Sequence, residues 1–221
     1  MPKVLISDKL STEAISIFES AGINVDFKPG LSAEELKQII HNYDGLAIRS
    51  ATKVTAELLA LARNLKVVGR AGIGVDNVDI SAATASGVLV MNTPFGNAIT
   101  TAEHAIAMML SLTRQIPHAH ISTISNKWEK SKFMGTEITS KKLGIIGCGN
   151  IGAIVANRAL GLKMRVIGYD PYLTNERAKE IGIEKVELDD LLIQADFITL
   201  HTPLTDSTKN IISADALNKT K

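Results

Sequence analysis

Residues 143–171 read LGIIGCGNIGAIVANRALGLKMRVIGYDP. A short apolar run meets three glycines, a stretch of helical character follows (151–161), and a second apolar run ends in Asp170. Strand, glycine turn, helix, strand and acid, in that order, describe a dinucleotide-binding unit, and each glycine has its own reason. Gly147 permits a tight turn, Gly149 lets the backbone approach a pyrophosphate, and Gly152 lets helix and strand pack closely. The helix start offers unpaired N–H groups and the positive end of a dipole to phosphate. A carboxylate at Asp170 accepts both hydroxyls of the adenosine ribose and repels a 2′-phosphate, so the cofactor read from these residues is NAD rather than NADP. Cys148, with nothing basic beside it, reads as a small buried hydrophobe.

Composition sets the class around this motif. The chain has 221 residues, 45% of them hydrophobic, and a net charge of +1. That is enough apolar material for a real core, and it lacks the basic stripe that a nucleic-acid partner would favour. No apolar run reaches the length of a membrane span. The opening MPKVLISD enters a strand-like run directly, without the charged and apolar regions of a secretory signal. One cysteine excludes an internal disulfide framework and any CxxC metal site, and no other metal constellation is visible. No serine has a histidine and acid at motif spacing, so hydrolase chemistry has no support. The expectation is a soluble cytoplasmic protein with neither nucleic-acid nor membrane partners.

Before the glycine motif, KVLISD, INVDF, GLAIRS, LKVVGRAG and VLVMNTP read as strands, and the segments between them carry helical spacing. Ser32 and Glu35 fit a capping box. Near-continuous apolar strands separated by helices imply parallel pairing by right-handed crossovers, in a sheet covered on both faces. The fold class is therefore α/β, with two doubly wound Rossmann-like domains. The first is a flavodoxin-like unit over 1–97 and the second, over 98–221, is a dinucleotide-binding unit that is incomplete. NAITTAEHAIAMMLSLTRQIP reads as one long linking helix ending at Pro117, followed by a helix and an exposed arm that holds Trp128.

The first domain has unusual strand ends of its own. AIRSATKV places Arg49 after one strand, and VGRAGIGVDNVD places Arg70 and two further glycines at the end of the next. If those strands are neighbours, two guanidinium groups and exposed glycine backbone share a crevice suited to a small anion bearing carboxylate or phosphate. Of the five histidines, His104 reads as a core residue and His41, His118 and His120 as surface. His201, in LHTP, ends a strand beside Thr202 and Pro203, the better candidates for cofactor contact there.

RSATKV, VGRAGIGVDNVD, VMNTPFGNAITTAEH, RQIP, KWEKSKFMGTE, LGIIGCGNIG, IGYDP and DFITLHTPLTDST occur in order from about residue 3 to the end. Together they resemble the D-isomer-specific 2-hydroxyacid dehydrogenases. The resemblance implies NAD-dependent oxidation at C2 of 3-phospho-D-glycerate to 3-phosphohydroxypyruvate, which opens serine biosynthesis. It places Arg49, Ser50, Arg70, Gly72 and Ile73 at the substrate, with Ile73 also at the cofactor. It gives the cofactor Gly147, Gly149, Asn150, Ile151, Gly152, Asp170, Thr202 and Pro203. It puts the 117–137 arm at the interface of a homodimer or homotetramer, with Lys130 or Lys132 reaching the partner's substrate site. A glyoxylate or hydroxypyruvate reductase and a non-catalytic NAD-binding protein are the competing readings. The family's catalytic arginine, glutamate and histidine belong to segments resembling NCARGG, DVF…EP and PHLGA, and none of these occurs among the 221 residues. His201 is not that histidine, so no catalytic residue is assigned, and the chain alone is expected to be inactive.

Overall fold

The computed structural model describes residues 1–221, which divide into two units, Met1–Asn97 and Ala98–Lys221. The first unit runs β1 (Lys3–Ile6), α1 (Glu13–Ser20), β2 (Asn24–Phe27), α2 (Ala33–Ile39), β3 (Gly45–Ile48), α3 (Ala56–Leu61), β4 (Val67–Arg70), α4 (Ile80–Ala85) and β5 (Leu89–Asn92). The strands are all parallel, in the order β2-β1-β3-β4-β5. The Ser32–Glu35 capping box closes α2, with Ser32 N donating to Glu35 at 2.8 Å and Glu35 N to Ser32 Oγ at 3.3 Å. Thr55 and Asp79 cap α3 and α4 with a single bond each, accepting from Leu58 N and Ala82 N.

Crossover handedness decides which faces are covered. The step from β1 to β2 runs one way along the sheet and the later steps run the other way, so α1 lies on one face and α2, α3 and α4 on the opposite one. Side chains alternate accordingly. Val4, Ile6 and Ala47 pack with Ala14, Ile15 and Phe18 of α1. Leu5, Leu46, Ile48 and Val68 pack with Leu36, Leu58, Leu59 and Ala83. The α1 helix packs over β1 and β3 on its face and does not reach β4 and β5. Leu89 and Met91 are 60% and 55% exposed, and Phe18, Ala47, Val67, Gly69 and Met91 line an apolar recess of about 430 Å³. Helices thus pack on both faces, with α1 covering only part of its own.

The second unit begins with α5 (Ala98–Thr113) and α6 (Ile116–Ile124), then a 3₁₀ turn over Lys130–Phe133. The sequence suggested one helix running to Pro117. Instead α5 stops at Thr113, Gln115 takes a left-handed φ of 51°, and Pro117 sits in the first turn of α6. Proline is tolerated there because a first-turn N–H has no intrahelical partner to lose. His104 is also corrected from core to exposed. The stripe of α5 that packs inward is Ala102, Ile106 and Met109, whereas His104 shares the outward face with Met108 and Leu112.

Next come β6 (Lys142–Ile146), α7 (Asn150–Gly161), β7 (Arg165–Tyr169), α8 (Asn175–Glu180), β8 (Glu184–Lys185), α9 (Leu188–Gln194), β9 (Phe197–Leu200) and α10 (Ala214–Asn218). The sheet is parallel, in the order β8-β7-β6-β9. Val155, Ala156 and Ala159 of α7 pack with Leu143 and Ile145, while Leu191 and Ala195 pack with Ile146 and Ile167 from the other side. No helix is long and apolar enough to cross a membrane. In both sheets the strand order reverses at the first strand, which creates a ligand-accepting crevice at its carboxyl end.

The α9 face has no room at Gly144, where an added Cβ would stand 2.6 Å from Leu191 Cδ2 and 3.0 Å from Ala195 Cβ. We expect Gly144→Ala to cost about 1–3 kcal/mol by overpacking, read from urea midpoints at unchanged m. The loss should shrink in a Leu191→Ala background. Strictly additive losses would mean that this contact is not the cause.

Candidate functional sites in the two units

In the second unit the reversal point lies between β6 and β9. Gly147 leaves β6 with φ 93°, and its N–H donates to Tyr169 O at 2.9 Å. A Cβ on Gly147 would stand 2.6 Å from the His201 carbonyl oxygen and 2.8 Å from Thr202 Cγ2, so bare backbone joins the turn to the end of β9. A Cβ on Gly152 would collide with the Gly147 carbonyl, which shows why α7 can start so close to β6. Gly149 is the N-cap of α7 and offers no side chain, so the first-turn N–H groups of Asn150, Ile151 and Gly152 have no cap to satisfy them. Nothing lies within 4 Å of a Cβ built on Gly149. This is an open, uncapped helix start of the kind that receives phosphate.

Asp170 follows β7. One carboxylate oxygen accepts from Cys148 N at 2.9 Å and the other from Tyr172 N at 2.8 Å. Each oxygen keeps lone-pair capacity for a further donor. The acid is thus fixed beside the turn and can still accept ribose hydroxyls. Cys148 is buried, and burial together with the Asp170 charge raises its thiol to about 12, which rules out a reactive thiolate. Thr202 is half-buried and Pro203 exposed, and the Pro203 carbonyl accepts from Thr208 Oγ1. The turn, the helix start and Asp170 together fit a dinucleotide.

In the first unit the reversal point lies between β1 and β3. A crevice of about 310 Å³ opens there, lined by Leu10, Ser11, Arg49, Gly72, Thr93 and Asn97 among others. Every one of these residues follows the carboxyl end of a strand. Strands β3 and β4 are neighbours, with Ile48 opposite Arg70. The two arginines nevertheless differ. Arg49 and Ser50 are exposed, and the hydrogen bonds at Arg49 run through its backbone, N to Asp8 and O from Asn77. Arg70 is folded onto its own loop. Nε donates to Asn77 Oδ1 at 2.7 Å, Nη1 to Gly74 O, and Nη2 lies 3.7 Å from Asp76. A Cβ on Gly72 would strike this guanidinium, so the glycine makes room for it. Ile73 is half-buried, and its carbonyl accepts from Asn92 Nδ2 at 2.6 Å.

Asp8, Thr52 and Asn77 went unread in the sequence although they build this loop. Asp8 is buried and accepts from Arg49 N at 2.6 Å, Thr52 N at 3.1 Å and Thr52 Oγ1 at 2.6 Å. A signal existed, because VLISD ends a strand in an acid just as VIGYD does.

His201 Nε2 lies 2.9 Å from Thr199 Oγ1, and burial holds its pKa below the ordinary 6.5. The folded state therefore refuses a proton that the unfolded chain accepts. The stability this gives is complete above about pH 6.5 and declines as pH falls towards the lowered value. We expect His201→Gln, whose amide can still meet Thr199, to lose less of its melting temperature between pH 7 and 5.5 than the parent chain. Equal losses would exclude His201 as the titrating group.

Residues 106–221 match the family model described as D-isomer specific 2-hydroxyacid dehydrogenase, NAD binding domain. The chain is 47% identical over 219 residues to D-3-phosphoglycerate dehydrogenase of Archaeoglobus fulgidus, covering 99% of this chain and 42% of that protein. It thus spans about two-fifths of that relative's length. The NAD+-bound structure of 3-phosphoglycerate dehydrogenase from Entamoeba histolytica matches with a TM-score of 0.82 at 30% identity, covering 100% of this chain and 68% of that one. A glyoxylate reductase from Paecilomyes thermophila matches with a TM-score of 0.90 at 27% identity, covering 100% and 70%. The cofactor is NAD, and the chain belongs to the D-isomer-specific 2-hydroxyacid dehydrogenase family.

Proposed function

We propose that this polypeptide serves NAD-dependent oxidation of 3-phospho-D-glycerate to 3-phosphohydroxypyruvate, the entry to serine biosynthesis. The observation that carries the reading is the exposed, unpaired guanidinium of Arg49 in the 310 Å³ crevice at the β1–β3 reversal point. A fixed cation there suits a substrate with a second anionic group beyond its carboxylate. The 47% identity to a D-3-phosphoglycerate dehydrogenase supports the same substrate.

In this reading NAD, when bound, accepts the hydride from C2. The chain's own residues bind and orient. Asn150, Ile151 and Gly152 present N–H groups to the pyrophosphate, over the open space left by Gly149. Asp170 receives the ribose hydroxyls, and Thr202 and Pro203 flank the cofactor. Arg49 and Ser50 hold the distal anion of the substrate. Arg70, with Gly72 and Ile73, lines the substrate crevice, and its guanidinium must exchange Gly74 and Asp76 for the ligand before it can bind directly. No residue of this chain is assigned the C2 hydroxyl proton, and we expect no turnover by these 221 residues alone. Measurable NADH formation by the purified chain would refute that expectation.

The 117–137 arm supports self-association as a homodimer or homotetramer. It exposes Ile121, Ile124, Trp128 and Met134, apolar surface that a partner copy would cover. A glyoxylate reductase is the second reading, favoured by the TM-score of 0.90 to such an enzyme.

Calorimetric titration of 3-phospho-D-glycerate and of glyoxylate, with NAD present, separates the two. A charge-assisted hydrogen bond of about 1.5–3 kcal/mol makes the expected loss roughly 10–100-fold for the phosphorylated acid in Arg49→Ala. Glyoxylate should lose far less. Equal losses for both would favour the reductase reading.

A further inference from the structure

We propose that Asp8 and Asn77 are positioning residues for the substrate crevice. On this proposal they grip the 49–52 backbone from two sides and so fix the root of Arg49 while leaving its guanidinium free. The inference rests on the substrate reading above and adds residues that touch no ligand.

Asp8 is 5% exposed and no cationic side chain pairs with it. A buried carboxylate without a counter-ion is costly unless hydrogen bonds replace its lost water. Here every replacement comes from one neighbouring loop: Arg49 N, Thr52 N and Thr52 Oγ1. Ser7 Oγ lies 2.8 Å from the same Thr52 hydroxyl and extends the network into β1. Asn77 works from the other side. Its Nδ2 donates to Arg49 O at 2.7 Å and Thr52 O at 2.6 Å, while its Oδ1 accepts from Arg70 Nε at 2.7 Å. One amide therefore ties together the two loops that carry the arginines. Asn77 is itself anchored, because Val54 N donates to Asn77 O and Asp79 N to Val54 O, both at 2.8 Å.

The N–H and the C=O of Arg49 are thus both bound, and its side chain is not. None of Asp8, Thr52 and Asn77 belongs to the apolar clusters that hold the sheet to its helices. Their bonds converge on one loop at the reversal point. This is how a supporting shell pre-organises a binding group, and small misplacements of such a group are costly.

The test uses near-isosteric variants of this chain. Asp8→Asn turns an acceptor into a donor facing N–H groups. Asn77→Asp turns a donor into an acceptor facing two carbonyls. Thr52→Val removes only the hydroxyl, and Thr52→Ser retains it, so this pair gives an answer even if the first two fail to fold. Affinities for 3-phospho-D-glycerate and for NAD are measured by calorimetry, and amide exchange of residues 49–52 by mass spectrometry. Losing hydrogen bonds to a charged group should weaken the acid about tenfold or more in Asp8→Asn and Asn77→Asp, and about threefold in Thr52→Val. Thr52→Ser should restore affinity, NAD binding should be unchanged throughout, and exchange at 49–52 should accelerate in the weakened variants. Unchanged acid affinity in the variants that fold would overturn the proposal, as would a parallel fall in NAD affinity. If the parent chain binds the acid through Arg49 and these variants leave binding intact, this proposal alone falls. If the parent chain shows no affinity for the acid, the substrate reading falls and takes this proposal with it.

Discussion

The handedness of the β-crossover is the constraint on which the rest depends. A right-handed return places a helix on one face or the other according to the direction in which the next strand is laid. In each unit that direction reverses once, at β1 in the first and at β6 in the second. The reversal splits the helices between two faces and parts the loops at the carboxyl end of the central strand. The Arg49 crevice and the Gly147 turn occupy those two gaps, so the positions of both sites follow from strand order before any side chain is considered.

The two units then use one device for different ends. In each, an aspartate just past a strand accepts a backbone N–H from the loop that follows the neighbouring strand, Arg49 N for Asp8 and Cys148 N for Asp170. Asp170 spends one bond per oxygen, on Cys148 and Tyr172, and retains acceptor capacity. Asp8 accepts three donors from Arg49 and Thr52 and is sealed from solvent. The first carboxylate remains available to hydroxyls, whereas the second has become part of the scaffold. The difference is one of exposure and donor count, since the residue type is the same.

This contrast explains how much could be read in advance. The glycine motif was legible because each glycine answers a local steric demand: Gly147 a positive φ, Gly152 the approach of a carbonyl. The strands were legible because apolar runs of β1, β3 and β6 are buried on two faces. Other features depend on distant partners and leave no local trace. Pro117 is equally at home ending or beginning a helix, and only the left-handed Gln115 shows which. His104 sits among apolar letters, but the packing of α5 on α7 selects a stripe that passes it by. Arg70 shares with Arg49 a place at a strand end, but its own loop wraps its guanidinium. Asn77 acts on Arg49 and Thr52, residues separated from it by a strand, a helix and two turns.

The division of labour around Arg49 has an evolutionary reading. Every bond that shapes residues 49–52 runs through main chain or through Asp8, Thr52 and Asn77, and none through the Arg49 side chain. The frame does not depend on what it displays. A lineage could exchange the side chain at 49 without first rebuilding the loop. Changes at Asp8, Thr52 or Asn77 would instead remove bonds that the loop backbone itself depends on. Sequence change in such a loop is therefore least costly at its exposed tip and most tightly restrained at its hidden supports.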